Sequence, residues 1–436
     1  MSSEARASVH DESAVRKRVE VEIPADEVQR ELDRGFERVR QQAHIRGFRP
    51  GKAPRKVVEQ TYGEQITREV VARLVEHSFH HVIEDHHLSV VGSPEIDAGA
   101  IAPGEPLRYT VLVDVRPEIT LGDVRGIPVE RPDATVPEED VDRALDVLRE
   151  RAAELRPITD RLTIEAGDVV TVDLESRLGE DKQKREGVLL EAGSGTFPLA
   201  LERQLVGQHV GARLALDVQY PDDYANASLA GKTVSFDVQV NELHAKDLPP
   251  LDDDFARDHG HAESLAELRS RARADLEVQA AAQADGRVRE AVLAALLERH
   301  QFEVPPSLVV RRSDTILASL GVRLPDGADA EQMLVRLREQ VRPQSEREVR
   351  ADLLLDALAT EQTVEITDED VSAEINAMAA RERQQPERMR AFYERPEARD
   401  ALRARLRRLR ALEHVVSLAK IETGQAVDVA RPEQSR

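Results

Sequence analysis

The sequence predicts an α+β multidomain protein, with an α+β head, a small antiparallel β module and an elongated all-α body with arms. Three observations predict it. The 436 residues exceed what one hydrophobic core ordinarily holds. Aromatic residues are scarce (no Trp, 8 Phe, 5 Tyr) beside 33% charged residues and a mean hydropathy of −0.47, a balance that suits slender helical modules with aliphatic seams. The apolar period also changes along the chain, from mixed strand and helix patterns, to alternation after Gly167, to helical spacing beyond Pro249-Pro250.

The head opens on a strand whose Val15, Lys17, Val19, Val21 and Ile23 share one face. Pro24 then starts a helix over residues 25–42, with Val28, Leu32, Phe36 and Val39 on its apolar side. The next stretch, Gly47-Phe48-Arg49-Pro50-Gly51-Lys52-Ala53-Pro54, has glycines and prolines that stop either neighbouring helix, so it protrudes as a loop. Arg38, Arg40, Arg46, Arg49, Lys52, Arg55 and Lys56 lie between positions 38 and 56 with no Asp or Glu among them, in a chain of formal net charge −22. A cationic tip with Phe48 as an apolar anchor suits a polyanion or an acidic surface; a solvated interhelical turn is the plainer alternative. A short helix over 55–62 follows, then a longer one from Glu64 to about His87 with Ile66, Val70, Leu74, Val75, Phe79, Val82 and Ile83 on one face. Strands near 88–96 and 107–115 complete a head of residues 1–125.

Residues 126–157 read as a connecting arm: Pro128, Pro132 and Pro137, then an isolated amphipathic helix with Val141, Leu145, Val147 and Leu148. The β module occupies 158–246, with strands at 169–174, 188–190, 212–220 and 233–243 separated by Gly and Pro turns. Residues 247–424 are helical. Ser264 and Glu267 fit a capping box, and Thr367 is an N-cap followed by acids. The body's apolar positions (Leu293, Leu296, Leu297, Val309, Val310, Ile316, Leu317, Leu353, Leu354 and Leu355) exceed one seam, so they either face a cavity or lie between helices. Residues 425–436 read as a disordered tail.

Several chemistries are excluded. Without Cys there are no disulfides or thiolates. His77, His81 and Asp85 share a helix face, but Ser78 stands where a zinc-protease helix needs Glu. There is no phosphate-binding glycine loop and no Gly-x-Ser-x-Gly context, so no metal or cofactor is expected. The acidity argues against general nucleic-acid binding outside residues 38–56. No stretch is long and apolar enough for a membrane span and the N-terminus lacks the apolar run of a secretion signal, which makes the cytoplasm the expected location.

In this order of modules, Gly47–Pro54 resembles the ribosome-docking signature of the trigger factors, the bacterial ribosome-associated chaperones. The similarity continues through Val57-Val58-Glu59-Gln60-Thr61-Tyr62-Gly63, at Val136–Leu148, at Gly231-Lys232, at Asp247-Leu248-Pro249-Pro250-Leu251 and at Asp254-Phe255-Ala256. The resemblance implies a ribosome-binding head, a middle domain like the FK506-binding prolyl isomerases, and a helical body whose arms cradle nascent and unfolded polypeptides without ATP. It implies that Gly47, Phe48, Arg49, Pro50, Gly51 and Lys52 meet a protein of the large ribosomal subunit, and nearby RNA, at the tunnel exit. It leaves a homodimer open. Pro50 stands where relatives often have Lys, leaving Lys52, Arg55 and Lys56 to meet phosphates.

Prolyl isomerisation has no covalent step; its barrier of about 18–20 kcal/mol falls when an apolar pocket grips the twisted X-Pro bond. Here Leu174 stands where the family often has an aromatic, 181–187 is polar where it has an aromatic-containing loop, and Leu201 replaces another aromatic after Phe197-Pro198. Leu174, Phe197, Leu201, Tyr224 and Phe236 remain as an apolar groove, or as ordinary core of the β module. Turnover is therefore expected to be weak or absent. The rival readings are an active folding isomerase and a non-ribosomal scaffold or holdase.

Overall fold

A computed structural model describes residues 6–42, 48, 51–99, 104–179, 181–194, 203–221, 229, 231–322, 329–381 and 386–426. The chain runs through β1 (Arg6–Asp11), β2 (Arg16–Ile23), α1 (Ala25–Gln42), α2 (Arg55–Asp85), β3 (Val90–Ala98), β4 (Leu107–Val115) and β5 (Pro128–Asp133). Next come α3 (Glu138–Arg151), β6 (Glu154–Pro157), β7 (Val169–Leu178), β8 (Asp181–Glu191), β9 (Arg213–Gln219), β10 (Thr233–Asp247) and α4 (Asp253–Asp258). The helices α5 (Leu265–Arg299), α6 (Pro306–Ser319), α7 (Asp329–Glu361), α8 (Asp368–Arg381), α9 (Pro386–Phe392) and α10 (Pro396–Leu418) follow, then β11 (Lys420–Ala426). Among the described residues no helix is long and apolar enough to cross a membrane. The chain divides into two units, residues 1–131 with 287–422 and residues 132–286 with 423–436.

In the first unit the head is an antiparallel sheet in the order β1-β2-β4-β3, with Val19 opposite Val111 and Val21 opposite Tyr109. One face of alternating apolar residues (Val19, Val21, Ile23, Val111, Val113) meets Val28 of α1 and Val58, Ile66 and Val70 of α2. Two elements differ from the sequence expectation. β1 adds a strand that only Ala7 and Val9 foreshadow, and α2 is one continuous helix where Gly63 predicted a break. Val58 and Ile66 lie on either side of Gly63 in the same core, and their burial outweighs the ~1 kcal/mol that a helical glycine costs. Ser78 follows His77 but lies on the buried side of α2, where it bonds the Leu74 carbonyl at 2.7 Å and the Tyr109 hydroxyl at 2.6 Å.

The helical part of this unit closes over Val292, Leu296, Leu354, Leu358, Ala411 and Val415, joined by Ile127 from the segment leaving the head. Pairing between α6 and α7 includes a buried bond from Ser313 Oγ to Ser345 Oγ at 2.9 Å and the Arg338–Asp314 ion pair. At the start of α8 the expected N-cap is reciprocal: Asp370 N–H donates to Thr367 Oγ1, and Thr367 N–H donates to the Asp370 carboxylate. Arg410 of α10 and those Thr367 donors hold Asp370 far below the usual carboxylate range. β11 pairs with β5, so ordered backbone reaches Ala426, past the expected start of the tail; residues 427–436 lie outside the described residues.

Head and helices meet within this unit at Asp114. Its buried carboxylate accepts the Ser307 N–H at the start of α6 (2.7 Å) and the Arg16 Nε (2.9 Å). Close beside it Gly92, at φ +74°, lies against Ser307, whose hydroxyl donates to the Val91 carbonyl at 3.3 Å. Burial pushes the Asp114 carboxyl up, but the Ser307 donors and Arg16 outweigh it and hold the group below the ordinary carboxylate value. A depressed carboxylate contributes stability that is present above its unfolded pKa and lost as pH falls through its folded one. Asp114→Asn is therefore expected to flatten the fall in urea-unfolding stability between about pH 5 and pH 3. An unchanged slope would remove Asp114 from the acid response.

In the second unit α3 is not isolated. Val141 and Leu145 are fully buried against Phe255 and Ala256 of α4 and Leu268 and Ala280 of α5, whereas Val147 is exposed. The β module is a five-stranded antiparallel sheet, β6-β10-β7-β8, with β9 on β10. The polar run 181–187 is the first part of β8, paired with the end of β7. Val170, Val172, Leu216, Val238 and Val240 form its core.

Candidate functional site

The 47–54 loop joins α1 to α2; Gly47, Arg49 and Pro50 lie outside the described residues. Phe48 is 40% exposed. Gly51, at φ +82°, donates its N–H to the Arg40 carbonyl at the end of α1 (3.0 Å), Ala53 is buried in the head core, and Pro54 caps α2. The chain is thus anchored just after the tip, which lets Phe48 project while the helices stay fixed.

Arg46, like Arg49, lies outside the described residues, and the described cations divide into two groups. Arg38, Lys52 and Lys56 are exposed and, among the described residues, make no ion pair. Arg40 is paired with Glu37 at 2.8 Å. Arg55 binds Glu59 at 2.7 Å and Asp33 at 2.5 Å, with its guanidinium over the Phe36 ring at 5.4 Å. The bond from Arg55 holds the Asp33 carboxyl below its usual range, and Glu59 and Asp33 raise Arg55 in turn. Arg55, expected to meet phosphates, is therefore a clamp at the loop's base. The Arg55–Glu59 spacing of four residues was the signal for half of this clamp; Asp33 is separated from Arg55 by the whole loop and gave none.

In the β module, Leu174 and Phe236 lie on the inward faces of adjacent strands β7 and β10, both buried, with Leu174 opposite Val238 in register. Phe197, Leu201 and Tyr224 lie outside the described residues. Asp173, beside Leu174, accepts the Gly187 N–H at 3.0 Å, and that bond together with the Asn241 side chain lowers its pKa. On the opposite, outward face of these strands a 440 Å³ groove is lined by Asp173, Glu175, Lys184, Arg213 and Asp237 beside Leu174, Leu214 and Val238. Among the described residues its lining is thus charged as much as apolar.

In the helical body, Leu296, Leu297, Val309, Leu317, Leu353, Leu354 and Leu355 are buried, and Leu293 and Ile316 are half-buried. Val310 is exposed. Exposure concentrates at the end of α6 and the start of α7, at Leu320 (67% exposed), Val322, Met333 and Val335, none of which the sequence periodicity singled out. Such a run of uncovered apolar side chains can hold apolar chain segments weakly and without sequence selectivity.

Residues 5–148 match the family described as bacterial trigger factor protein (TF), and residues 264–417 match the bacterial trigger factor protein (TF) C-terminus. Between them, residues 161–241 match the FKBP-type peptidyl-prolyl cis-trans isomerase family. The trigger factor of Geobacter sp. (strain M21) is 33% identical over 423 residues, 95% of this chain and 97% of the relative. That of Bacillus subtilis (strain 168) is 36% identical over 372 residues, 82% and 88% of the two chains. A solved structure of a trigger factor chaperone covers 94% of this chain and 99% of its own at 22% identity and a TM-score of 0.48.

Proposed function

Because the chain belongs to the trigger factor family and carries an FKBP-type domain, we propose that it docks at the tunnel exit of the large ribosomal subunit and shields nascent polypeptides without ATP. Beyond the family itself, the observation that carries this reading is the exposed Phe48 near the exposed cations Arg38, Lys52 and Lys56, which make no ion pair among the described residues of an otherwise acidic chain. Phe48 and the neighbouring Gly47, Arg49, Pro50, Gly51 and Lys52 supply an apolar plug and a charge-assisted rim, the pairing that suits a ribosomal protein bordered by RNA phosphates. The head is residues 1–125, the arm 126–157, the isomerase-like domain 158–246 and the helical chaperone body 247–424, and the exposed apolar side chains near Leu320 and Met333 offer clients a dispersed foothold in the cytoplasm. Co-sedimentation of the full chain with large ribosomal subunits at low salt tests the docking. A chain that stays in the supernatant would overturn it.

Isomerase activity in this reading is weak, with Leu174, Phe197, Leu201, Tyr224 and Phe236 as the remaining pocket. Support comes from the burial of Leu174 and Phe236 inside the β core. A protease-coupled assay on a proline peptide is expected to give turnover at least about tenfold below a free FK506-binding isomerase, about 1.4 kcal/mol in the barrier. Equal turnover would make the chain an active folding isomerase.

A further inference from the structure

A long groove of about 1060 Å³ runs along the head between α2 and β3. Its helix wall is the stripe Val71, Val75, Phe79 and Ile83, each one turn from the next, and its floor includes Ile96, which is 49% exposed. In the sheet order β1-β2-β4-β3, β3 is an edge: it pairs with β4 on one side, and among the described residues no strand lies on the other. Pro94 and the bulge between Val91 and Glu95 interrupt the first part of that edge, leaving Glu95–Ala98 as a regular run with unpaired outward backbone groups.

The two faces of this run differ. Pro94, Ile96 and Ala98 face the groove, whereas Glu95 and Asp97 alternate onto the opposite face. Glu95 is 3.9 Å from Arg16, and Asp97 has no ion pair among the described residues. On the helix rim Arg68 is held by Glu64 at 3.6 Å, and Glu76 has no cation beside it among the described residues. A strand laid along β3 would itself alternate. Its side chains on the groove face would meet apolar surface and those on the other face would lie beside Glu95 and Asp97, where the nearby Arg16 and Arg108 are held by Asp114 and Glu22 and Arg6 also lies.

We propose that this edge and groove bind an extended segment of unfolded polypeptide in which apolar residues alternate with Lys or Arg, adding a strand to the head sheet. Backbone hydrogen bonds to Glu95–Ala98 give affinity without sequence demand, the groove selects apolar side chains, and Glu95 and Asp97 select cationic ones. The site is separate from the docking loop. It shares with the proposed function only the premise that the chain meets unfolded polypeptide, and its test contains no ribosome.

The probe is a fluorescein-labelled octapeptide of alternating valine and lysine, titrated into the full chain by anisotropy at low salt. A block-ordered peptide of the same composition and an alternating valine–glutamate peptide are the comparators. The alternating cationic peptide is expected to bind at least about fivefold more tightly than either. On binding, amide exchange should slow at Glu95–Ala98. Ile96→Lys, at a half-exposed position where folding is checked by unchanged thermal unfolding, is expected to weaken binding roughly tenfold. Asp97→Asn is expected to weaken it a few-fold, with the difference disappearing at high salt. Equal affinity for the three peptides, no binding by the wild type, unaltered exchange at 95–98, or full affinity in Ile96→Lys would each overturn the proposal.

Discussion

Alanine at both Phe48 and Arg49 is expected to weaken co-sedimentation with large ribosomal subunits by at least about a hundredfold. Losing a buried aromatic anchor costs about 2–3 kcal/mol, and losing a charge-assisted hydrogen bond costs about 1.5–3 kcal/mol. The fold should survive, because Phe48 is exposed and the loop is anchored by Gly51 and Ala53. A salt titration separates the cations. Lys52→Ala should reduce the slope of log K against log salt by about one, as expected for a lost phosphate contact. Arg55→Ala should hardly change that slope, because Asp33 and Glu59 already neutralise the guanidinium, although it loosens the base of the loop. Equal binding by the wild type and the double variant would end the docking assignment.

The second large effect is structural. In Gly92→Ala the new Cβ would lie 2.3 Å from Ser307 Oγ and 2.5 Å from Ser307 Cβ, with the backbone at φ +74°. The left-handed conformation costs about 1–2 kcal/mol for a residue with a Cβ, and overpacking adds about 1–3 kcal/mol. Thermal unfolding is expected to move down on the order of 10 °C. Ser307→Gly in the same chain should return part of that loss by removing the clash while leaving the backbone strain. A Gly92→Ala chain as stable as the wild type would show that the approach of β3 to α6 is looser than this contact requires.

These two predictions differ in how far the sequence foretold them. The loop is local: its glycines, prolines and run of cations lie within twenty residues, so composition and spacing alone marked it. β2, α1, β4 and the module strands β7, β9 and β10 are likewise legible from their alternation or helical period, and Thr367 is recognisable as a cap, whereas β6 and the polar first part of β8 carry no such alternation. Gly92 appeared as an ordinary strand residue because its constraint comes from Ser307, more than two hundred positions away. Asp33 and Arg55 illustrate the same limit on a smaller scale: the charge run was visible, but which of its members are neutralised depends on the fold. The sequence also implied a helix break at Gly63 that the shared core of Val58 and Ile66 overrides, and it left α3 without its partners Phe255 and Leu268. In the β module Leu174 and Phe236 are interior residues on neighbouring strands, which strand alternation alone marks as inward-facing.

The pairing of β5 with β11 joins a strand near residue 130 to one that ends at Ala426. In a chain made from its N-terminus, β5 emerges long before β11, the strand it pairs with. The head sheet, whose strands all lie before residue 116, can form while the rest is still being translated. The helical core takes Ala411, Leu412 and Val415 from α10, so its seams stay partly uncovered until that helix has been made. A protein proposed to shelter unfinished chains thus passes through an exposed interval of its own during biosynthesis.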